Sequence, residues 1–150
     1  MLTQKDKFKL TEKYLYDYKK NLAELDSLRE DYTTEKNGSD VHAQNYEASL
    51  NTAGEPSNPP HEWFVKLEGM KTRIKKLDRY TKPITRLLND LSAPENLRNS
   101  DYAMLLEILK LMYLGKNKPK DIYNELAISK TSFFRKRREL VYLAREYIGL

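Results

Sequence analysis

The stretch Lys118–Leu143, KPKDIYNELAISKTSFFRKRRELVYL, constrains the fold more than any other part of this chain. It reads as two helices joined by a short turn, the second helix strongly basic. Pro119 suits the first turn of a helix, where the missing N–H is not needed. Ile122, Tyr123 and Leu126 then fall on one apolar face at helical spacing. Ala127 and Ile128 break the pattern, and Ser129 is a good N-cap for the next helix. That helix turns Phe133, Leu140 and Ala144 towards a core. A unit of this kind can set its second helix into the major groove of DNA.

The charge distribution points the same way. Between Lys116 and Arg138 lie eight Lys or Arg and two acids, a net +6, whereas the whole chain carries +5. Positive charge is thus concentrated in one segment, which is the electrostatic footprint of a polyanionic partner. Taken alone, a basic run is more often a solvated helical face. Its place after a turn and an N-cap is what favours DNA. The N-terminal turns of a recognition helix face base edges, so Lys130, Thr131, Ser132 and Arg135 are the candidate base contacts. Arg135 can pair bidentately with guanine, and Thr131 can meet a thymine methyl or a base edge. Lys116, Lys118, Lys120, Lys136 and Arg138 are candidate phosphate contacts, which position a domain without reading sequence. Phe134 either covers the hinge or meets thymine methyl groups.

The rest of the chain reads as all-α. Residues 1–32 hold a helix from about Leu10 to Tyr32, with Leu15, Tyr18, Leu22 and Leu25 spaced by threes and fours as a heptad seam. Such a stripe either packs on the rest of the chain or pairs copies of it, so these four residues are the candidate oligomerisation set. Residues 33–60 read as a flexible linker, rich in Gly, Pro and polar residues and too poor in large aliphatics to offset the entropy of ordering. Residues 61–150 read as a helical domain, with the two-helix unit in about 98–150. Asn58 and Pro59 suit a helix start. Trp63, Leu67, Met70, Ile74 and Leu77 mark a buried stripe, which Ile84, Leu87, Leu88 and Leu91 continue beyond a kink or restart at Pro83. A further helix from Asn99-Ser100 buries Tyr102, Leu105, Leu106, Leu109, Met112 and Tyr113, with Gly115 as its C-cap.

Several chemistries find no support. The chain has no cysteine, so disulfide frameworks and thiolate metal sites are excluded. His42 and His61 stand alone, without partners at ligand spacing, and no metal or cofactor is expected. No Gly-rich phosphate loop or nucleophile motif is present, and an enzyme is not expected. Glu24, Asp26, Glu30 and Asp31 lie among lysines, where ion pairs are the ordinary explanation. The opening MLTQKDKFKL is hydrophilic, and no apolar run approaches the ~20 residues that span a bilayer. A cytoplasmic location, away from membranes, is the expectation.

The residues from Leu105 to Tyr147, LLEILKLMYLGKNKPKDIYNELAISKTSFFRKRRELVYLAREY, resemble the ArpU/RinA group of phage-encoded transcriptional regulators. Met112-Tyr113-Leu114, Ile122, Leu126, Ile128, Ser129, the pair Phe133-Phe134 and the run Leu140 to Tyr147 carry the likeness. One departure is Ala127, where that group usually has glycine. The likeness implies a sigma-factor-like C-terminal helix-turn-helix and a regulator, more an activator than a repressor, of late phage genes for packaging, morphogenesis or lysis. It places the protein in the cytoplasm of a Gram-positive host. Double-stranded DNA is the expected partner, and because one two-helix unit offers few base contacts, a homo-oligomer, most simply a dimer on a repeated half-site, is expected. Two alternatives stay open: a packaging protein like a small terminase subunit, and a sigma-like module that binds RNA polymerase or another protein.

Overall fold

The structure, a computed structural model, describes residues 1–38 and 59–150. The elements are α1 (Gln4–Asn37), α2 (Pro59–Ser92), the single turn α3 (Pro94–Leu97), α4 (Ser100–Ile108) continuing as a π-helical segment (Leu109–Leu114), α5 (Pro119–Glu125) and α6 (Lys130–Ile148). Among the described residues there is no strand, and the all-α reading holds.

The chain divides into two compact units, one of residues 1–21 with 79–150 and the other of residues 22–78. In the second unit the later part of α1 runs antiparallel to the early part of α2. Leu25, Leu67 and Leu77 are buried there. Ion pairs fringe the contact: Arg73 to Glu24 at 2.8 Å, Arg29 to Asp78 at 2.6 Å and Lys66 to Glu35 at 2.7 Å. Each side chain is about a third or more exposed, so these pairs contribute at most about 1 kcal/mol apiece.

Helix α1 is longer than its apolar stripe suggests. Thr3 and Asp6 form a capping box at its start: Asp6 N–H donates to Thr3 Oγ1 at 3.1 Å, and Thr3 N–H donates back to the Asp6 carboxylate at 3.2 Å. The Thr-x-x-Asp spacing was legible in the sequence, as a start signal ahead of Leu10. At the other end α1 takes in Thr33 to Asn37, the first part of the segment read as a linker. Residues 39–58 of that segment, with His42 and Asn58, lie outside the described residues, and Pro59 and Pro60 belong to α2.

Helix α2 passes through Pro83 without a break. Proline removes one hydrogen bond and crowds the preceding turn. Burial on both sides outweighs that cost here, because Leu77, Thr81, Ile84, Leu87 and Leu91 are all buried. Thr85 also donates its hydroxyl to the Thr81 carbonyl at 3.1 Å.

In α4 the Asn99 side chain accepts from Asp101 N–H at 3.0 Å, as a cap should. The π-helical continuation adds a residue to the turn and widens the apolar face. Leu105, Leu106, Ile108, Leu109, Met112 and Tyr113 are all buried, whereas Tyr102 is exposed. Gly115 is not the left-handed residue expected of a C-cap: its φ is −86°, and Lys116 takes the positive value of 54°. Glycine is needed at 115 for space. A Cβ there meets the carbonyls of Lys110 and Leu111 at 3.1 and 3.0 Å, oxygens that accept from the backbone of Gly115 and Asn117.

Residues 126–129 join α5 to α6 in a Schellman arrangement. Ile128 N–H donates to Tyr123 O at 3.1 Å, Ala127 N–H donates to Asn124 O at 3.3 Å, and Ala127 sits in the left-handed region at φ 55°. An alanine Cβ is strained there by about 1 kcal/mol. Ala127→Gly is therefore expected to raise the stability of the protein by about 0.5–1 kcal/mol, the strain relieved less the added entropy of the unfolded chain. A urea titration of the two proteins checks it; a lower midpoint for the glycine variant contradicts the assignment of strain.

Candidate nucleic-acid interface

Three local features aim α6. Pro119 opens α5, with Lys118 in the extended conformation before it. Ser129 caps α6, its hydroxyl accepting from Ser132 N–H at 3.1 Å and donating to Ser132 Oγ at 2.9 Å. The core then fixes the roll of the helix, with Phe133, Leu140, Val141 and Ala144 buried on one side. Ile122 of α5 is fully buried, and Tyr123 lies against Phe133 with ring centroids 6.0 Å apart.

On the outward side, Lys130, Thr131, Phe134, Arg135 and Arg138 line one shallow depression over the first turns of α6. Three of the four candidate base contacts are therefore brought together. Ser132 is the fourth, and the structure engages its hydroxyl in the cap. Lys116, Lys118 and Lys120 are exposed beside and within the first turn of α5. Among the described residues, none of Lys116, Lys118, Lys120, Lys130, Arg135 and Arg138 is in an ion pair.

Lys136 differs from the other candidate phosphate contacts. Its ammonium lies 2.7 Å from Asp101 and 3.3 Å from Glu139, and its side chain is only 15% exposed. The hydrogen bond with Asp101 raises the Lys136 pKa and lowers that of Asp101. The spacing alone placed Lys136 with the outward cations, but the acids at 101 and 139 turn it aside.

Sequence reasoning did not find Arg137 and Glu12. Arg137 Nη2 donates to both carboxylate oxygens of Glu12, at 2.7 and 2.9 Å, and Tyr113 OH donates to the same carboxylate at 3.1 Å. The guanidinium lies 5.8 Å from the Phe8 ring centre and 5.9 Å from that of Phe134. Burial opposes the charge on Arg137, but the hydrogen bonds to Glu12 and Tyr113 outweigh it and raise its pKa. Nε of Arg137 is buried with no hydrogen-bond partner among the described residues. Further contacts tie the start of α1 to α6: Phe8 meets Tyr142 edge-on at 6.4 Å, and Arg145 donates to Gln4 Oε1 at 2.5 Å. No local sequence signal joins residues so far apart; only the i, i+4, i+8 spacing of Gln4, Phe8 and Glu12 on one face of α1 offered a hint.

The candidate oligomerisation seam is used within the chain. Leu15 and Tyr18 are buried in the first unit, where Tyr18 OH lies 2.9 Å from Thr85 Oγ1, and Leu25 is buried in the second. Leu22 is half-buried. Within each unit, a part of α2 lies beside that part of α1.

Two tyrosines of the first unit give the fold a pH limit. Burial, followed by the Glu12 carboxylate, raises the pKa of Tyr113, and the hydrogen bond to Asp90 pushes that of Tyr147 up to about 12. An unfolded tyrosine ionises at about 10. The unfolded chain thus loses these protons first as pH rises, and stability present below about pH 10 declines above it. Urea midpoints measured across that range are expected to fall with pH, and to fall less steeply in Tyr147→Phe.

These observations define an all-α protein whose last two helices present a basic face held from behind by the N-terminal helix. No group of acidic and histidine residues among those described can hold a metal ion, and no described helix is long and apolar enough to cross a membrane. A family model described as a protein of unknown function (DUF1492) matches residues 61–144, more than half of the chain, and the chain belongs to that family. No curated protein and no solved structure matches it.

Proposed function

We propose that the chain is a sequence-specific double-stranded DNA-binding transcriptional regulator, an activator of late phage genes, with α5 and α6 acting as a helix-turn-helix. The observation that carries this reading is the division of the basic residues. Lys136 and Arg137 are tied to acids of the same unit, while Lys130, Arg135 and Arg138 point outward together with Thr131. Outward cations on the first turns of the second helix match what base and phosphate contacts require. The phage setting rests on the resemblance of residues 105–147 to the ArpU/RinA group. A single unit offers few base contacts, so binding by a homodimer to a repeated half-site remains part of the proposal, through a surface other than the Leu15–Leu25 stripe.

Genomic footprinting of the bound protein tests the reading. Footprints at promoters of late genes support it. Footprints confined to a packaging site, with ring-shaped oligomers in solution, favour a role like that of a small terminase. Polymerase binding without DNA binding favours the protein-interaction role.

Residue roles follow. Arg135→Ala is expected to reduce discrimination between operator and random duplex by about 1–3 kcal/mol, the range for a good bidentate base contact. Lys118→Ala is expected to weaken all DNA about equally and to make the salt slope shallower by roughly one unit. Lys136→Ala is expected to change the slope least, because its charge is already neutralised by Asp101. Titrations at several salt concentrations distinguish the three variants.

A further inference from the structure

The depression on α6 has an unusual chemistry for a basic face. Four of its five lining side chains are polar or charged, yet the surface it shows is mostly carbon. The ring of Phe134, the methyl group of Thr131 and the aliphatic stems of Lys130, Arg135 and Arg138 account for that. Thr131, Phe134 and Arg138 are spaced by three and four, so they share one helical face.

Phe134 is held there from behind. Its ring meets the fully buried Phe133 ring edge-on, with centroids 5.2 Å apart and planes at 74°. The Arg137 guanidinium lies 5.9 Å from its centre, and Arg137 is itself fixed by two hydrogen bonds to Glu12. The ring is only half-buried by these neighbours. One part of it packs against Phe133 and Arg137, and another is offered outward among cations.

We propose that Phe134 is a specificity residue that reads the 5-methyl group of a thymine, with Thr131 completing the apolar seat. The inference rests on the DNA-binding reading above and deepens it. In the major groove, thymine alone among the four bases presents an apolar group; the others offer only donors and acceptors. An apolar seat rimmed by Lys130 and Arg135 suits a methyl group whose neighbours are acceptors, the thymine O4 or the O6 and N7 of an adjacent guanine. Glu12, Arg137 and Phe133 act as positioning residues for the ring.

The test changes the DNA and leaves the protein intact. The preferred duplex is first selected from random sequences with the full chain. Each thymine in it is then replaced singly by deoxyuridine, which removes only the methyl group. Loss of one buried methyl is expected to weaken binding about fourfold at one position in each half-site. In Phe134→Ala, which keeps the Ser129 cap and the Phe133 core, the same replacement is expected to have no effect. The proposal is overturned if no single replacement changes affinity in the parent protein, or if Phe134→Ala retains the full sensitivity. If the full chain prefers no duplex over random DNA, the DNA-reading function falls and the proposal with it; a preferred duplex that is insensitive to uridine overturns the proposal alone.

Discussion

A chain lacking residues 1–21 is expected to lose the cooperative fold of the unit that carries the basic face. Those residues bury Leu15, Thr11 and Tyr18, at 0%, 0% and 6% exposure, against the rest of the unit. Burial of a large apolar side chain is worth about 1.5–3 kcal/mol. Half-buried Phe8, Tyr14 and Tyr16 add to this through their ring contacts with Tyr142, Tyr80 and Tyr113. The deletion also leaves Arg137 with no acid beside it. The summed loss, on the order of 5–10 kcal/mol, is comparable with the net stability of a typical domain, about 5–15 kcal/mol. The shortened chain is expected to keep helical far-ultraviolet dichroism, to lose most of the tyrosine part of its near-ultraviolet signal and the sharp thermal transition of that unit, and to recover both on addition of a peptide of residues 1–21. A sharp transition at the parent temperature without the peptide would show that the α1 contacts contribute little. The family match begins at residue 61, so the matched segment lacks part of its own core.

The second large effect is expected at Glu12. Glu12→Ala strands the guanidinium of Arg137, whose side chain is 25% exposed, against Phe8, Phe134 and the Tyr113 hydroxyl. Removing one partner of a fully buried pair costs about 3–5 kcal/mol. Partial exposure lets water reach the arginine and reduces that to about 2–3 kcal/mol. The double variant Glu12→Leu with Arg137→Met is expected to regain most of the loss, because neither buried charge remains and the volume is kept. Chemical denaturation of the singles and the double completes a double-mutant cycle. Losses that simply add would show that the two side chains do not act as a pair. If α6 is the DNA-reading helix, Glu12→Ala also loosens Phe134, and the two effects separate in the uridine test at a temperature where the variant is folded.

Much of the fold was legible locally. Pro119, the Ser129 cap and the apolar face of α5 marked two helices and the turn between them, because capping and periodicity act over a few residues. Ala127 stands where the group it resembles usually has glycine, and it adopts the left-handed conformation that glycine favours, at φ 55°, despite its Cβ. The Leu15–Leu25 stripe announced that α1 must be covered, since an apolar face in water is unfavourable whatever covers it.

The sequence did not determine what does the covering. A heptad stripe is equally satisfied by another copy and by a later helix of the same chain, and within each unit it is α2 that lies beside it. Pro83 likewise predicts a kink or restart by local rules, and α2 runs on through it as one helix with buried residues on both sides. Spacing placed Lys136 and Arg137 within one basic run. The tertiary fold divided that run by bringing Asp101 and Glu12 against two of its members and leaving Arg135 and Arg138 outward. Residue type and periodicity, being properties of neighbours along the chain, thus determined the helices, the turn and the excess of positive charge. Which charges are neutralised, and which ring is held in place among those left free, depends on Coulomb and packing contacts between residues 35 to 125 positions apart, and those exist only once the chain has folded.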